Sequence, residues 1–212
     1  MRLQFTLVAA LVLLLLISLW SPLYPREQWL QHVPTVLAIP ALAWSARKQV
    51  LTNGAFACLV AMLALHIVGA RWIYSYVPYD EWATTLVGSG PNAWFGATRN
   101  HYDRFVHLAF GLLMPLPLVE VAMRYGNLCR RWAVAWALAM VAAISAFYEV
   151  FEWLLAVIAA PEIAEHYNGQ QGDAWDAQKD MALAMLGSLI AVAAIRLSSR
   201  SSATTATGER TR

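Results

Sequence analysis

The feature that most limits what this chain can fold into is its long uncharged runs. Leu3 to Trp20 carries no ionisable side chain at all, and further apolar stretches follow it along the chain. A bilayer core of about 30 Å needs roughly 20 apolar residues in helical form, because a backbone in lipid must satisfy its own hydrogen bonds. The composition agrees: 59% of the 212 residues are hydrophobic and 13% are charged. A soluble domain carries about 25% charged residues. An ordinary water-soluble globule and a disordered chain are therefore excluded.

The sequence predicts an all-α, polytopic membrane protein built as a six-helix transmembrane bundle in one domain, residues 1–197. The expected spans are 3–20, 28–46, 51–70, 104–123, 132–158 and 180–197. The first could be read as a secretory signal, but it is long for one and ends in Trp20-Ser21-Pro22-Leu23 without a small-x-small cleavage pattern. Pro34 and Pro40 fall within the second span, and Pro115 and Pro117 are expected to kink the fourth. Pro78 is placed to open a short surface helix, Tyr79 to Val87, in an aromatic-rich loop spanning 71–103. The Gly169-Gln170-Gln171-Gly172 stretch reads as a turn before the sixth span. Residues 198–212, rich in Ser and Thr, read as a disordered cytoplasmic tail.

Direction follows from the cations, which accumulate on cytoplasmic segments. With the N-terminus inside, ten of the fifteen Lys and Arg residues fall on the cytoplasmic side, and both termini are cytoplasmic. Glu27, Asp80, Glu81, Asp103, Glu162, Glu165, Asp173, Asp176 and Asp180 then face outward. The formal charge of +2 and the lack of a basic stripe give no footprint for nucleic acid. Cys58 and Cys129 sit in or beside apolar runs and suggest no disulfide framework.

An ionisable side chain at bilayer depth costs roughly 2.5–3.5 kcal/mol on insertion scales, so each needs a partner or a purpose. Three groups of them lie at the same end of their spans. Asp103 and His107 are four residues apart, and Glu149 and Glu152 are three apart, so each pair shares a helix face. Asp173, Asp176 and Asp180 form one stripe if the sixth helix has begun, and Asp173 is equally suited to be its N-cap. Arg99, Arg104 and Lys179 are too few to neutralise these six carboxylates. Three readings accommodate the surplus: an ion-paired structural network, metal- or proton-linked catalysis, and ion-coupled transport. For catalysis, His107, Asp103, Glu149 and Glu152 are the candidate acid–base groups. Asp173, Asp176, Asp180, His107 and Glu152 are the candidate ligands for a divalent Mg, Mn or Zn ion, since carboxylate oxygens with imidazole suit those metals. The partners expected are the lipid bilayer and a lipid or small molecule of the cell envelope. Glu120 and Arg124 are spaced as an i,i+4 ion pair on the opposite side of the membrane. His32 and His66 read as isolated structural histidines.

Three segments carry a family resemblance: Tyr102-Asp103-Arg104-Phe105-Val106-His107, Tyr148-Glu149-Val150-Phe151-Glu152-Trp153 and Gln171 through Met181 with its Gly172-Asp173-Ala174-Trp175-Asp176 core. Together they resemble the YjdF-like family of bacterial inner-membrane proteins. The resemblance implies a location, the bacterial inner membrane, and a multi-pass architecture; it transfers no reaction. A more distant similarity is to VanZ-like membrane proteins, where Asp103, Arg104 and His107 match one element, Glu149 or Glu152 a second, and Asp176 with Gly187 a third. Asp180 stands where that pattern has Asn, and the paired Glu is an added acid, both of which make this site more cation-seeking. That similarity implies a cell-envelope context.

Overall fold

A computed structural model describes residues 1–158 and 171–209. Among the described residues the chain is helical throughout, with no strand. The helices are α1 (Arg2–Ser18), α2 (Pro25–Lys48), α3 (Asn53–Arg71), α4 (Tyr79–Val87), α5 (Pro91–Phe95), α6 (Tyr102–Leu113), α7 (Pro115–Arg124), α8 (Arg130–Ile158) and α9 (Asp176–Glu209). Glu162, Glu165 and the Gly169-Gln170 half of the expected turn lie outside the described residues.

Four stretches are long and apolar enough to cross a bilayer: Asn53–Arg71, Tyr102–Arg124, Arg130–Leu154 and Asp176–Arg196. Six were expected. The two that fall short are α1, apolar but only 17 residues long, and α2. The latter has 24 residues but interrupts its apolar sequence with Gln28, Gln31, His32 and Thr35, all buried. Those polar groups face the bundle: Gln28 Nε2 donates to the Ser18 carbonyl at 2.8 Å, and His32 Nε2 lies 3.2 Å from Ser18 Oγ.

The proline expectations resolve differently in the two places. Pro34 and Pro40 sit inside a continuous α2. Pro115, which has no N–H to continue the ladder, ends α6 at Leu113 and starts α7 after Met114. Pro78 does precede a helix, α4, over Tyr79–Val87, which Gly88 closes in the left-handed conformation at φ 84°. Helix α9 continues beyond 197 to Glu209, with no proline and, after Gly187, no glycine before Gly208 in the sequence.

The packing that positions the site is the contact of α6 with α9. Gly111 and Gly187 let the two backbones touch. A Cβ at Gly111 would run into the Ala184 carbonyl oxygen, and one at Gly187 into the Leu108 carbonyl oxygen. Small residues allow this approach in membrane helices, where dispersion rather than hydrophobicity holds helices together. On the far side of the bundle, Glu120 accepts from the Thr52 amide and hydroxyl, both at 2.7 Å, tying α7 to the first turn of α3. Arg124 lies 3.5 Å from Glu120, the pair its spacing suggested, and also donates to the Val50 carbonyl at 2.9 Å.

Candidate functional site

Helical spacing builds the site. Asp103, His107 and Gly111 are four residues apart on α6, and Asp176, Asp180 and Ala184 are four apart on α9, so each set lies on one face. Where the faces meet at Gly111 and Ala184, the acids and the histidine above them are turned toward each other. Helix α8 adds Glu149 and Glu152 from the side. All six side chains are buried, from Asp180 at 1% exposure to Glu149 at 8%.

Within this group two kinds of environment separate. The cationic side takes Asp176 and Asp173. Asp176 Oδ1 lies 2.9 Å from Arg99 and 3.1 Å from Arg104. Asp173 Oδ2 meets Lys179 at 2.6 Å, Arg99 at 3.5 Å and Arg104. Asp173 precedes α9, where its Oδ1 accepts from the Trp175 amide at 3.0 Å. Of the two roles open to Asp173, it takes the one before the helix, and the stripe on α9 is Asp176 and Asp180, because the helix starts at Asp176. The Lys179 hydrogen bond, the Trp175 amide and the Arg104 contact hold Asp173 well below the usual carboxylate range. Partial burial, aided by Arg104 and Arg99, keeps the neighbouring His101 imidazole below its ordinary value.

The other environment is acidic and lies deeper. Donor atoms of Asp103, His107 and Asp180 lie within 4.8 Å of one another, and this is the group among the described residues that could hold a metal ion. His107 Nε2 is 3.8 Å from Asp103 Oδ1 and 3.4 Å from Glu149 Oε1. Neither Asp180 Oδ1 nor Glu149 Oε1 has a hydrogen-bond partner. A buried acceptor without a donor is costly and calls for an explanation. Glu152 is hydrogen-bonded by Tyr148, and Asp103, Glu149 and Asp180 are its acidic neighbours. The Tyr148 ring also packs edge-on to His107, with centroids 5.8 Å apart. The sequence-expected residues are therefore brought together, with Asp173 and Asp176 drawn to the arginines and Asp103, His107 and Asp180 forming the compact donor set.

His32 and His66 are not isolated, contrary to the sequence reading. Their ring centroids are 6.5 Å apart. His66 Nε2 lies 2.8 Å from the Gln31 carbonyl and Nδ1 lies 2.5 Å from the Tyr74 hydroxyl. A carbonyl only accepts, so Nε2 carries the proton and Nδ1 accepts from Tyr74. Sequence spacing had no means of joining residues 32, 66 and 74, which lie on different segments; only the exceptional cost of a polar group at that depth marked them.

Residues 3–201 match the family described as "Predicted membrane protein (DUF2238)". The chain is 34% identical over 181 residues to the "Inner membrane protein YjdF" of Escherichia coli (strain K12), covering 84% of this chain and 82% of that protein. The chain belongs to this family. It is an integral membrane protein of the YjdF type, and the resemblance carried by its three motif segments holds across most of its length. No solved structure matches it.

Proposed function

We propose that this YjdF-type protein is a membrane-embedded, metal-dependent hydrolase or transferase acting on a lipid or cell-envelope substrate in the bacterial inner membrane. The observation that carries the reading is the donor set of Asp103, His107 and Asp180, within 4.8 Å, with a 1%-exposed carboxylate oxygen left unpaired. Metal–oxygen and metal–nitrogen bonds of about 2.0–2.2 Å span about 4 Å across an ion, so closing this set needs only small side-chain movements. Charge supports it too. Two carboxylates balance one divalent cation, while Arg99, Arg104 and Lys179 serve Asp173 and Asp176. Two oxygens and an imidazole suit Mg²⁺, Mn²⁺ or Zn²⁺.

A bound ion would supply Lewis acidity and an activated water. The protein's own part is to hold that chemistry in a dry layer. His107 and the two aspartates would hold the ion, and Glu149 Oε1, 3.4 Å from His107 Nε2, would be placed to accept a proton beside it. Tyr148 orients Glu152 beside it. On the cation bias of the sequence, this end of the bundle faces outside the cell and both termini are cytoplasmic.

The test is thermal melting of the purified protein with and without Mn²⁺, Mg²⁺ or Zn²⁺. Wild type should gain stability with one of these ions by mass action, and Asp180→Asn should purify normally and lose the gain. A wild type indifferent to all three, with an Asp180→Asn variant that melts early, would assign the cluster to a structural ion network instead.

A further inference from the structure

A cavity of about 780 Å³ lies among α2, α3, α6 and α8, a size typical of small-molecule sites, which run about 300–1,000 Å³. It is extended along the helices. It follows α2 from Pro34 to Ser45 and α6 from Asp103 to Met114. Each stretch advances eleven residues, roughly 17 Å at a helical rise of 1.5 Å. Half of a bilayer core of about 30 Å is about 15 Å, the depth of one leaflet's hydrocarbon.

The lining is graded along that length. Leu42, Leu59, Leu63 and Phe110 make its deep walls. The polar side chains of the lining, Ser45 and Ser145 apart, gather at the end that carries α4 and α5: Asp103, His107, His66, Tyr74 and Tyr148. Tyr74 is held there by unusual backbone. Ile73 and Tyr74 both have positive φ, 43° and 58°, and a Cβ at Gly69 would fall 2.7 Å from the Tyr74 ring. Such conformations persist where the surroundings enforce them.

The cavity reaches the lateral surface of the bundle between α2 and α8. Helix α2 packs on α1 and α3, while α8 packs on α6, α7 and α9, which among the described residues leaves the space between α2 and α8 open. Trp44 and Ile144 line the cavity from these two helices and are also exposed on the surface.

We propose that this cavity binds one hydrocarbon chain of a membrane lipid, which slides in sideways between α2 and α8 from the leaflet at the α4–α5 end. The polar head then lies at Asp103 and His107, so the site described above and the chain site form one continuous substrate pocket. The chain site stands on the extent and lining of the cavity; the placing of a headgroup at Asp103 and His107 rests on the metal reading proposed above.

The full-length protein in nanodiscs containing phosphatidic acid with a diazirine at the end of one chain provides the test. After irradiation, labelled peptides are mapped by mass spectrometry. The wild type should be labelled at 41–45 of α2 and 59–63 of α3, at the deep end of the cavity. Ala41→Trp, which fills that end, should lower this labelling at least tenfold while labelling of the lipid-exposed Leu186 and Leu189 stays constant. Should Ala41→Trp not purify as a folded protein, Ala38→Leu narrows the same space and should lower deep-end labelling at least threefold. Asp180→Asn should keep the deep-end label, so a failed metal site leaves the chain site visible. Labelling no denser at 41–45 and 59–63 than at Leu186 and Leu189, or unchanged in the folded cavity-filling variant, would overturn the proposal even if metal binding is found.

Discussion

His107 on α6 and Asp180 on α9 stand level with each other, each four residues before the point where Gly111 meets the Ala184 carbonyl. Both helices begin at the same end of the bundle, where Arg104 bridges to Asp173 and Asp176. The glycine contact thus sets the height of the donor set as well as the helix spacing. The separation of His107 from Asp180 depends on a packing contact about 6 Å below them.

That dependence predicts the outcome of filling the contact. Gly111→Leu should force the α6 and α9 backbones apart, destabilise the protein by about 1–3 kcal/mol and abolish any metal-dependent shift in melting. Gly54→Ala is the matching control, since a Cβ there would meet only Leu116 Cδ2 at an ordinary 3.9 Å. It should melt at or slightly above the wild-type temperature, as Ala replaces Gly in a helix. Melting curves of both variants decide this.

A second expectation concerns the opposite end of the bundle. Glu120→Ala removes the acceptor for the Thr52 amide and hydroxyl and should cost about 1–3 kcal/mol. Its effect on metal binding should be nil, because Glu120 lies thirteen residues along the chain from His107 and on the far side of the bundle. Parallel melting and metal-binding measurements would separate the two. Loss of both together would contradict the assignment of Glu120 to the fold alone.

The pH response should come from Asp173 at its outer clamp. A carboxylate held below its ordinary value in the folded protein adds stability above the unfolded value of about 3.9, and loses it as pH falls toward the folded value. The stability difference between wild type and Asp173→Asn should therefore stay constant from pH 8 to about 5 and shrink below about 4. Melting temperatures across that range test it; a difference already vanishing at pH 6 would contradict the clamp.

Orientation is open to a reporter test. A reporter fused after Arg212 should be cytoplasmic and one inserted near Gly88 external, as the ten-to-five cation bias requires. The reverse pattern would move the acidic site to the cytosol.

Much of this site could be read before the structure, because helical arithmetic is reliable within one span. The pairings of Asp103 with His107 and of Asp176 with Asp180 follow from spacings of four, and burial cost alone implied that such acids converge. What spacing does not contain is contact between spans. Gly111 and Gly187 look unremarkable in sequence, yet they bring α6 and α9 together. The division between Asp176, paired with arginines, and Asp180, unpaired, depends on which face of α9 meets Arg104. The helix count was harder for a different reason. Gln28, Gln31, His32 and Thr35 lower the apolarity of α2, but they are buried against other helices. Hydropathy counts them as if they faced lipid.

The most direct test of the central claim is equilibrium dialysis of the purified, chelator-stripped protein against Mn²⁺, with bound ion counted by electron paramagnetic resonance. The donor set of Asp103, His107 and Asp180 predicts one Mn²⁺ per chain in the wild type and none in Asp180→Asn at equal folded content. Binding of no Mn²⁺, Mg²⁺ or Zn²⁺ by the wild type, or equal binding by Asp180→Asn, would contradict it.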